Sequence, residues 1–444
     1  MDYKALTEDL VKQCIKKGAD QAEIFLQSGR NLNVNLRNGE VETVQENAAQ
    51  GIGFRVIVEG RMGFAHSNDL SPASLKATLA AAIEYAKILS AESWNVLPSA
   101  SGVSEVEGLF DPRIAQISLD RKMAMAKEVE ALAMKDRRIT KSGGASYYEG
   151  ETEIFLANSN GMSKNYKTAS CGYGVSVVAE KGEQKCTGGE YCTRRFIDDL
   201  QTPDQIAKKA AREAYEMLGP RRIKTQKAAV IFDPSAARAV LGGVLGAMNG
   251  QRVTQGASFI GQKLDQSIAS EHVTLIDDGL RPRGLGSAPF DGEGVPTQTR
   301  TLVEKGVLKG FMYNSIAAKR AGVQSTGNAS RGGYRTLPGI GAHNFYMAAG
   351  RHSQASIIRR TRRGLLLKGV TGYGINAVSG NFSGGVSGFW VENGRIQHPV
   401  KGLTIAGSAF DMLGGIDMVG NDLDLNRSFS SPTFRIREMQ IGGE

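Results

Sequence analysis

The chain is poor in the residues that most often announce chemistry. Its 444 residues contain four cysteines, Cys14, Cys171, Cys186 and Cys192, with no Cys-x-x-Cys pair. A disulfide framework and a cysteine-built zinc or redox motif are therefore unsupported, and the four read as reduced thiols. The five histidines, His66, His272, His343, His352 and His398, do not cluster. The closest two, His343 and His352, match no ligand spacing. Neither Gly-x-Ser-x-Gly nor Gly-Lys-Ser/Thr occurs, which removes the commonest nucleophile-elbow hydrolases and phosphate-loop NTPases. No apolar run approaches the roughly 20 residues that span a bilayer. The start, Met1 to Leu10, is acidic and amphipathic rather than signal-like. A soluble cytoplasmic protein with no membrane association is expected.

What the chain has in abundance is glycine, 55 residues, within a composition of 41% hydrophobic and 22% charged residues. That content suits a globular protein with many tight turns and short strands. The length suits two or three domains. The net charge of +9 is dispersed and reads as solubility, so nucleic acid is an unlikely partner.

Leu6, Leu10, Val11 and Cys14 recur at helical spacing, and Gly18 stops the pattern. Ala22 to Leu26 and Leu32 to Leu36 alternate like half-buried strands, Asn38-Gly39 is a hairpin turn, and Glu40 to Val44 returns. Gly53 to Val58 reverses at Glu59-Gly60 into Arg61 to Ala65, and Ser71-Pro72 opens a helix. Residues 1–89 thus read as an α-β-β-β-β-α domain, followed by a polar linker over 90–112. A middle α+β domain, 113–220, repeats the plan: a helix over Ser118 to Met134, strands near 142–148 and 152–157, longer strands over 162–178 and 184–195, and a helix over Pro203 to Leu218. QAEIFLQSGR and ETEIFLANSN are similar enough to suggest an internal repeat.

From 227 to 444 the texture changes. Ala228 to Phe232 is a buried-strand run, Asp233-Pro234 caps a helix over Ser235 to Met248, and short glycine-separated strands follow, with a turn near Glu304 to Gly306. The fold class expected is α+β: an N-terminal region of α/β hairpins, then a β-rich C-terminal domain with a curved or barrel-like antiparallel sheet.

Candidate chemistry is sparse. Asp277, Asp278, Asp291 and Glu293 are placed on loops, as an acid/base pair, a weak cation site or ordinary turn charges. Gly284-Leu285-Gly286 and Gly372-Tyr373-Gly374 lack the third glycine of a dinucleotide fingerprint and read as turns. Arg359 to Arg363 is the densest basic run, placed at the C-terminal end of a helix beginning near Ser353, where cations offset the dipole. The helix stretch Ala239 to Gly250 has no His, Glu or Cys. Its Gly242, Gly243 and Gly246 permit close backbone approach, within the domain or across a subunit interface.

One set of segments is more specific. The block Gly286 to Gly322 (GSAPFDGEGVPTQTRTLVEKGVLKGFMYNSIAAKRAG), Ser325 to Ala329, Gly364 to Leu367, Gly372 to Ser383, Gly388 to Ile396 and Gly420 to Leu423 resemble the TldD/TldE (PmbA) family. The match is of the TldE/PmbA type. The resemblance implies a metallopeptidase assembly, in which a TldD-type chain supplies a zinc helix bearing His-Glu-x-x-x-His and TldE is its partner. Together they cleave short or unfolded peptides. On that correspondence the histidine positions fall at Leu241 and Gly246 and the glutamate at Gly242. The expectation is a non-catalytic subunit with no cofactor of its own, zinc on a TldD-type partner, and a homodimer possible in isolation. Two alternatives stand beside it: an autonomous hydrolase using His343, Asp291 or Glu293, and a nucleic-acid or topoisomerase-associated modulator.

Overall fold

The computed structural model describes residues 1–372 and 374–444; Tyr373, inside the predicted Gly372-Tyr373-Gly374 turn, lies outside them. In chain order the first half comprises α1 (Tyr3–Lys16), β1 (Gln21–Arg37), β2 (Glu40–Val58), β3 (Arg61–Ser67), α2 (Pro72–Ile88), α3 (Arg113–Gln116), α4 (Leu119–Met134), β4 (Ile139–Asn158), β5 (Ser163–Lys181), β6 (Gln184–Arg194) and α5 (Pro203–Glu216). The second half opens with β7 (Gln226–Phe232), α6 (Pro234–Ala247) and α7 (Gly250–Thr254). It continues through β8 (Leu275–Asp278), β9 (Thr299–Glu304), β10 (Val307–Leu308), α8 (Ser315–Ala321), β11 (Ala329–Ser330), β12 (Gly339–Ile340), β13 (Phe345–Met347) and α9 (Gln354–Arg359). It ends with β14 (Arg363–Thr371), β15 (Asn381–Glu392), β16 (Arg395–Ser408), α10 (Ala409–Gly414), β17 (Ile416–Val419), β18 (Phe429–Ser430) and β19 (Phe434–Gly442).

The first six strands form one antiparallel sheet in the order β3-β2-β1-β4-β5-β6. The order is symmetric about β1 and β4, and α1-β1-β2-β3-α2 is echoed by α4-β4-β5-β6-α5. The two similar fragments noticed in the sequence pair with each other, Phe25 opposite Leu156 and Leu26 opposite Phe155. Helix seating repeats too. A Cβ on Gly63 would strike the backbone of α2 at Ala82, and one on Gly188 the backbone of α5 at Ala210 and Ala214, so each helix lies directly on a strand because glycine leaves room.

The sequence reading splits strands that the structure joins. Leu32 to Leu36 continues Ala22 to Leu26 as a single 17-residue strand, and the segments near 142–148 and 152–157 are one 20-residue strand. The first unit is therefore α-β-β-β-α. Asn38-Gly39 and Glu59-Gly60 turn as expected, all four with positive φ, and Asp233 caps α6 through Ser235 and Ala236.

In the C-terminal region β16-β15-β14-β7-β19 closes into a barrel through the additional pairing of β19 with β16, and β17 extends β19. The barrel-like sheet expected from the sequence is thus present, with one parallel pair, β7 and β14. Closure leaves no free edge on those five strands. Val230, Phe232, Val240, Leu241, Val244, Leu365 and Phe434 share the largest core of the protein.

Candidate functional site

The Gly286 block crosses from the C-terminal region onto the first sheet; Arg195 ties its start to that sheet, and Asn344 ties it back to β8. Arg195, just beyond β6 and 6% exposed, donates to the carbonyls of Gly284 (2.9 Å), Leu285 (2.8 Å) and Ser287 (3.2 Å). Asn344 accepts from the Gly286 amide (2.9 Å) and donates to the Asp278 carbonyl (2.6 Å) and the Ser287 hydroxyl (2.8 Å). Phe290 then plugs into an apolar patch of Phe25, Leu156 and Met162, its ring edge-on to Tyr166 at 4.9 Å. Between loop and sheet lies a cleft of about 360 Å³, lined by Phe25, Gln27 and Tyr166 on one side and Phe290, Asp291 and His343 on the other.

Two of the three side chains named from the sequence, Asp291 and His343, therefore meet at this cleft. Glu293 does not. Asp291 is 4% exposed and accepts from the amides of Glu293 (2.9 Å), Val295 (3.0 Å) and Ala329 (2.8 Å). Burial, with the Glu293 charge close by, pushes its carboxyl up to about 7 against the pull of those amides. His343 presents its Nε2 to the Gly327 carbonyl at 2.7 Å, and its amide donates to Asp277 at 2.7 Å. Asp277 also accepts from Asn328 (2.7 Å), and burial raises its carboxyl while His343 opposes the rise. Asp277 and Asp278 lie on β8, not on loops, and Asp278 accepts from Thr299 at 2.6 Å. These hydrogen bonds organise backbone. Asp277, Asp291 and Glu293 each accept from main-chain amides and so shape the loop around the cleft.

A raised carboxyl favours the protonated folded state. The unfolded chain releases that proton near its ordinary value of about 4 while the folded chain keeps it to about 7, so the stability tied to Asp291 is complete below about 4 and lost as pH rises to about 7. Asp291→Asn is expected to flatten this part of the profile; melting temperatures of both proteins between pH 4 and 7 check it, and parallel curves would refute the assignment.

Glu293, fully buried, belongs to a charge network that the sequence reading missed. Arg55 on β2 donates to Glu23 on β1 through Nε (3.1 Å) and Nη2 (2.6 Å), and to Glu293 through Nη1 (2.7 Å). Arg331 donates to the same Glu23 and to the Gly292 carbonyl (2.6 Å). The second Glu293 oxygen accepts from the Ser315 amide at 2.7 Å. Two cations and two anions are thereby neutralised across the junction of the first sheet with the C-terminal loops. The signal was present: Glu23 and Arg55 are lone ionisable residues inside apolar runs.

The structure brings together one pair of histidines that the spacing does not suggest, His272 and His352. His66 neighbours Tyr334. His352, near His272, is held below the ordinary imidazole value by burial and then by Arg360 and Arg351. Among the described residues, no three His, Cys, Asp or Glu side chains stand together as a metal site. On α6, Leu241 is fully buried, Gly242 faces Phe429, Gly243 abuts Ile375 and Gly246 faces Ala377. Aliphatic carbon and glycine offer zinc no lone pair, so these positions do not fit the metal.

Comparison with known proteins agrees with this architecture. Three family models match: PmbA/TldA metallopeptidase domain 1 over residues 22–86, the central domain over 112–218 and the C-terminal domain over 225–443. The chain is 32% identical to Metalloprotease PmbA of Escherichia coli O157:H7, covering 96% of this chain and 93% of that protein. Among solved structures, a Bacteroides thetaiotaomicron protein described as a candidate modulator of DNA gyrase superposes with a TM-score of 0.92 at 27% identity, covering 100% of both chains. TldE of Thermococcus kodakarensis superposes with a TM-score of 0.87 at 25% identity, covering 98% of this chain and 99% of that one. With its three regions matched in order and a relative this similar over nearly the whole length, the chain belongs to the PmbA/TldD metallopeptidase family.

Proposed function

We infer that this protein is the subunit of a two-chain metallopeptidase that does not itself hold the metal. A TldD-type partner carries zinc, and the assembly acts on short or unfolded peptides in the cytoplasm. The observation that carries this reading is α6. At the positions where the resemblance places two imidazoles and a carboxylate, the helix offers Leu241, Gly242 and Gly246, and it is packed against Ile375, Ala377 and Phe429. The likeness to TldE supports it. Asp291, His343 and Glu293 are committed to hydrogen bonds and ion pairs that hold the loop, which speaks against an autonomous hydrolase.

Zinc bound by a partner would polarise a peptide carbonyl and lower the pKa of its water. This chain would contribute shape and main-chain recognition, which accepts many peptide sequences. The test is reconstitution. The purified chain alone is expected to show no peptidase activity, activity should appear when a TldD-type chain is added, and a chelator should abolish it. Proteolysis by the lone chain, tracking a metal bound to it, would overturn the reading.

A further inference from the structure

A groove follows the outer side of β6, the last strand of the first sheet. Three adjoining hollows of about 380, 520 and 480 Å³ line it, sharing residues from β6, the first turns of α6, the loop over 281–285 and the segment over 422–431. Among the described residues β6 pairs with β5 alone, so its other main-chain edge has no strand beside it. Tyr191, on that edge strand, is 48% exposed.

Four arginines face this space from four different elements: Arg194, Arg238, Arg281 and Arg427. Among the described residues none pairs with a carboxylate. Arg194 donates to the Thr193 carbonyl (2.7 Å), Arg238 to the Ser235 hydroxyl (3.3 Å) and Arg281 to the Leu425 carbonyl (2.6 Å). The acids nearby are engaged elsewhere: Glu190 with Lys209 (2.9 Å), Asp199 with Arg283 (3.0 Å), Asp422 with Thr433 (2.6 Å), Asp424 with the Asn426 amide (2.9 Å) and Glu213 with the Gly189 amide. Arg238 is half-buried, and burial together with the Arg427 guanidinium weakens its hold on its proton against the opposing pull of Asp233 and Glu190. Six cationic side chains, the four arginines with Lys209 and Arg283, and five carboxylates line the three hollows. The groove is therefore only slightly cationic as a whole, and what it offers an anion is four guanidiniums with no carboxylate, among the described residues, in ion-pair contact.

We propose that the groove receives an extended acidic peptide, which adds to the edge of β6 that no strand pairs with, while its carboxylates are held by Arg194, Arg238, Arg281 and Arg427. Its addition displaces the side chains of Glu213 and Arg194 from the Gly189 amide and the Thr193 carbonyl. This rests on the peptide-handling reading above and names the class of peptide. Strand addition supplies affinity that ignores sequence. Guanidinium forks supply selection, because they match carboxylates in bidentate geometry. Alternate side chains of an extended chain share one side, so acids at every second position suit the arrangement.

The test uses the full-length chain and two fluorescein-labelled peptides, one alternating glutamate with threonine and one with glutamine in place of glutamate, followed by anisotropy near physiological salt. The acidic peptide is expected to bind at least tenfold tighter. Arg238→Gln with Arg427→Gln should abolish that preference without lowering the melting temperature, and Arg360→Gln with Arg362→Gln, in the separate basic run, should leave it unchanged. Should the first double variant unfold, the exposed Arg427→Glu alone must weaken acidic-peptide binding at least tenfold. Equal binding of the two peptides, an unchanged preference in the groove variants, an equal loss in the control variant, or displacement by an oligonucleotide at lower concentration than by unlabelled peptide would each overturn the proposal. Reconstituted peptidase activity decides the subunit reading separately, whichever way the binding result falls.

Discussion

Arg55→Met is expected to lower the stability of the protein by about 3–5 kcal/mol, the cost of leaving buried charge uncompensated. For a chain this long that is a fall of roughly 3–5 °C in melting temperature, measurable by calorimetry. Arg55 is 1% exposed and Glu293 fully buried. Without the guanidinium, Glu23 keeps Arg331, but Glu293 keeps only the Ser315 amide. Adding Glu293→Gln removes that orphaned charge, so the double variant should lose less than the sum of the two single losses, by about 1 kcal/mol or more. Additive losses would show that the two side chains do not act as one unit, and that the Gly286 block is held to the sheet by other means.

The second large effect concerns one helix and one kind of substitution with opposite signs. On α6, a Cβ at position 243 would lie on the main chain of Ile375, closer than any real contact, whereas a Cβ at 246 would sit 3.4 Å from that of Ala377. Gly243→Ala should therefore cost about 1–3 kcal/mol or more through overpacking against backbone that cannot yield. Gly246→Ala should be neutral or gain up to about 1 kcal/mol from helix propensity. Parallel denaturant titrations check both. A stable Gly243→Ala protein would deny the close approach of α6 to the segment around Ile375. A Gly246→Ala protein that folds well but no longer assembles with a TldD-type chain would place this helix at the subunit interface as well as in the core.

Much of the local structure was legible because its causes are local. Asn38-Gly39 turns because asparagine and glycine tolerate positive φ, and Glu59-Gly60 because its glycine does while the Glu59 amide is held by Asp20, each between alternating runs. Asp233-Pro234 starts α6 because the carboxylate caps the first amides and proline needs no donor there. Strand length was not legible. Gln27 to Asn31 breaks the apolar alternation, yet it stays extended because it is laddered to β2 on one side and β4 on the other. The roles of Asp291 and Glu293 were equally hidden. A carboxylate in a glycine-rich loop looks the same in sequence whether it is solvated, catalytic or bound to three amides.

Composition and spacing by themselves gave the principal helices, the turns at Asn38-Gly39 and Glu59-Gly60 and the absence of His, Glu and Cys along α6. The burial and pairing of charge were decided only by the tertiary structure, and one residue shows why. Leu36 faces Val41 but Asn35 faces Thr43, a bulge that shifts the register of β1 on β2 by one, and only after that shift does Glu23 stand opposite Arg55. Without it the side chains beyond would exchange faces. The other members of the network lie 238 and 308 positions away along the chain, distances at which no local propensity acts and only the packed fold can bring charges together.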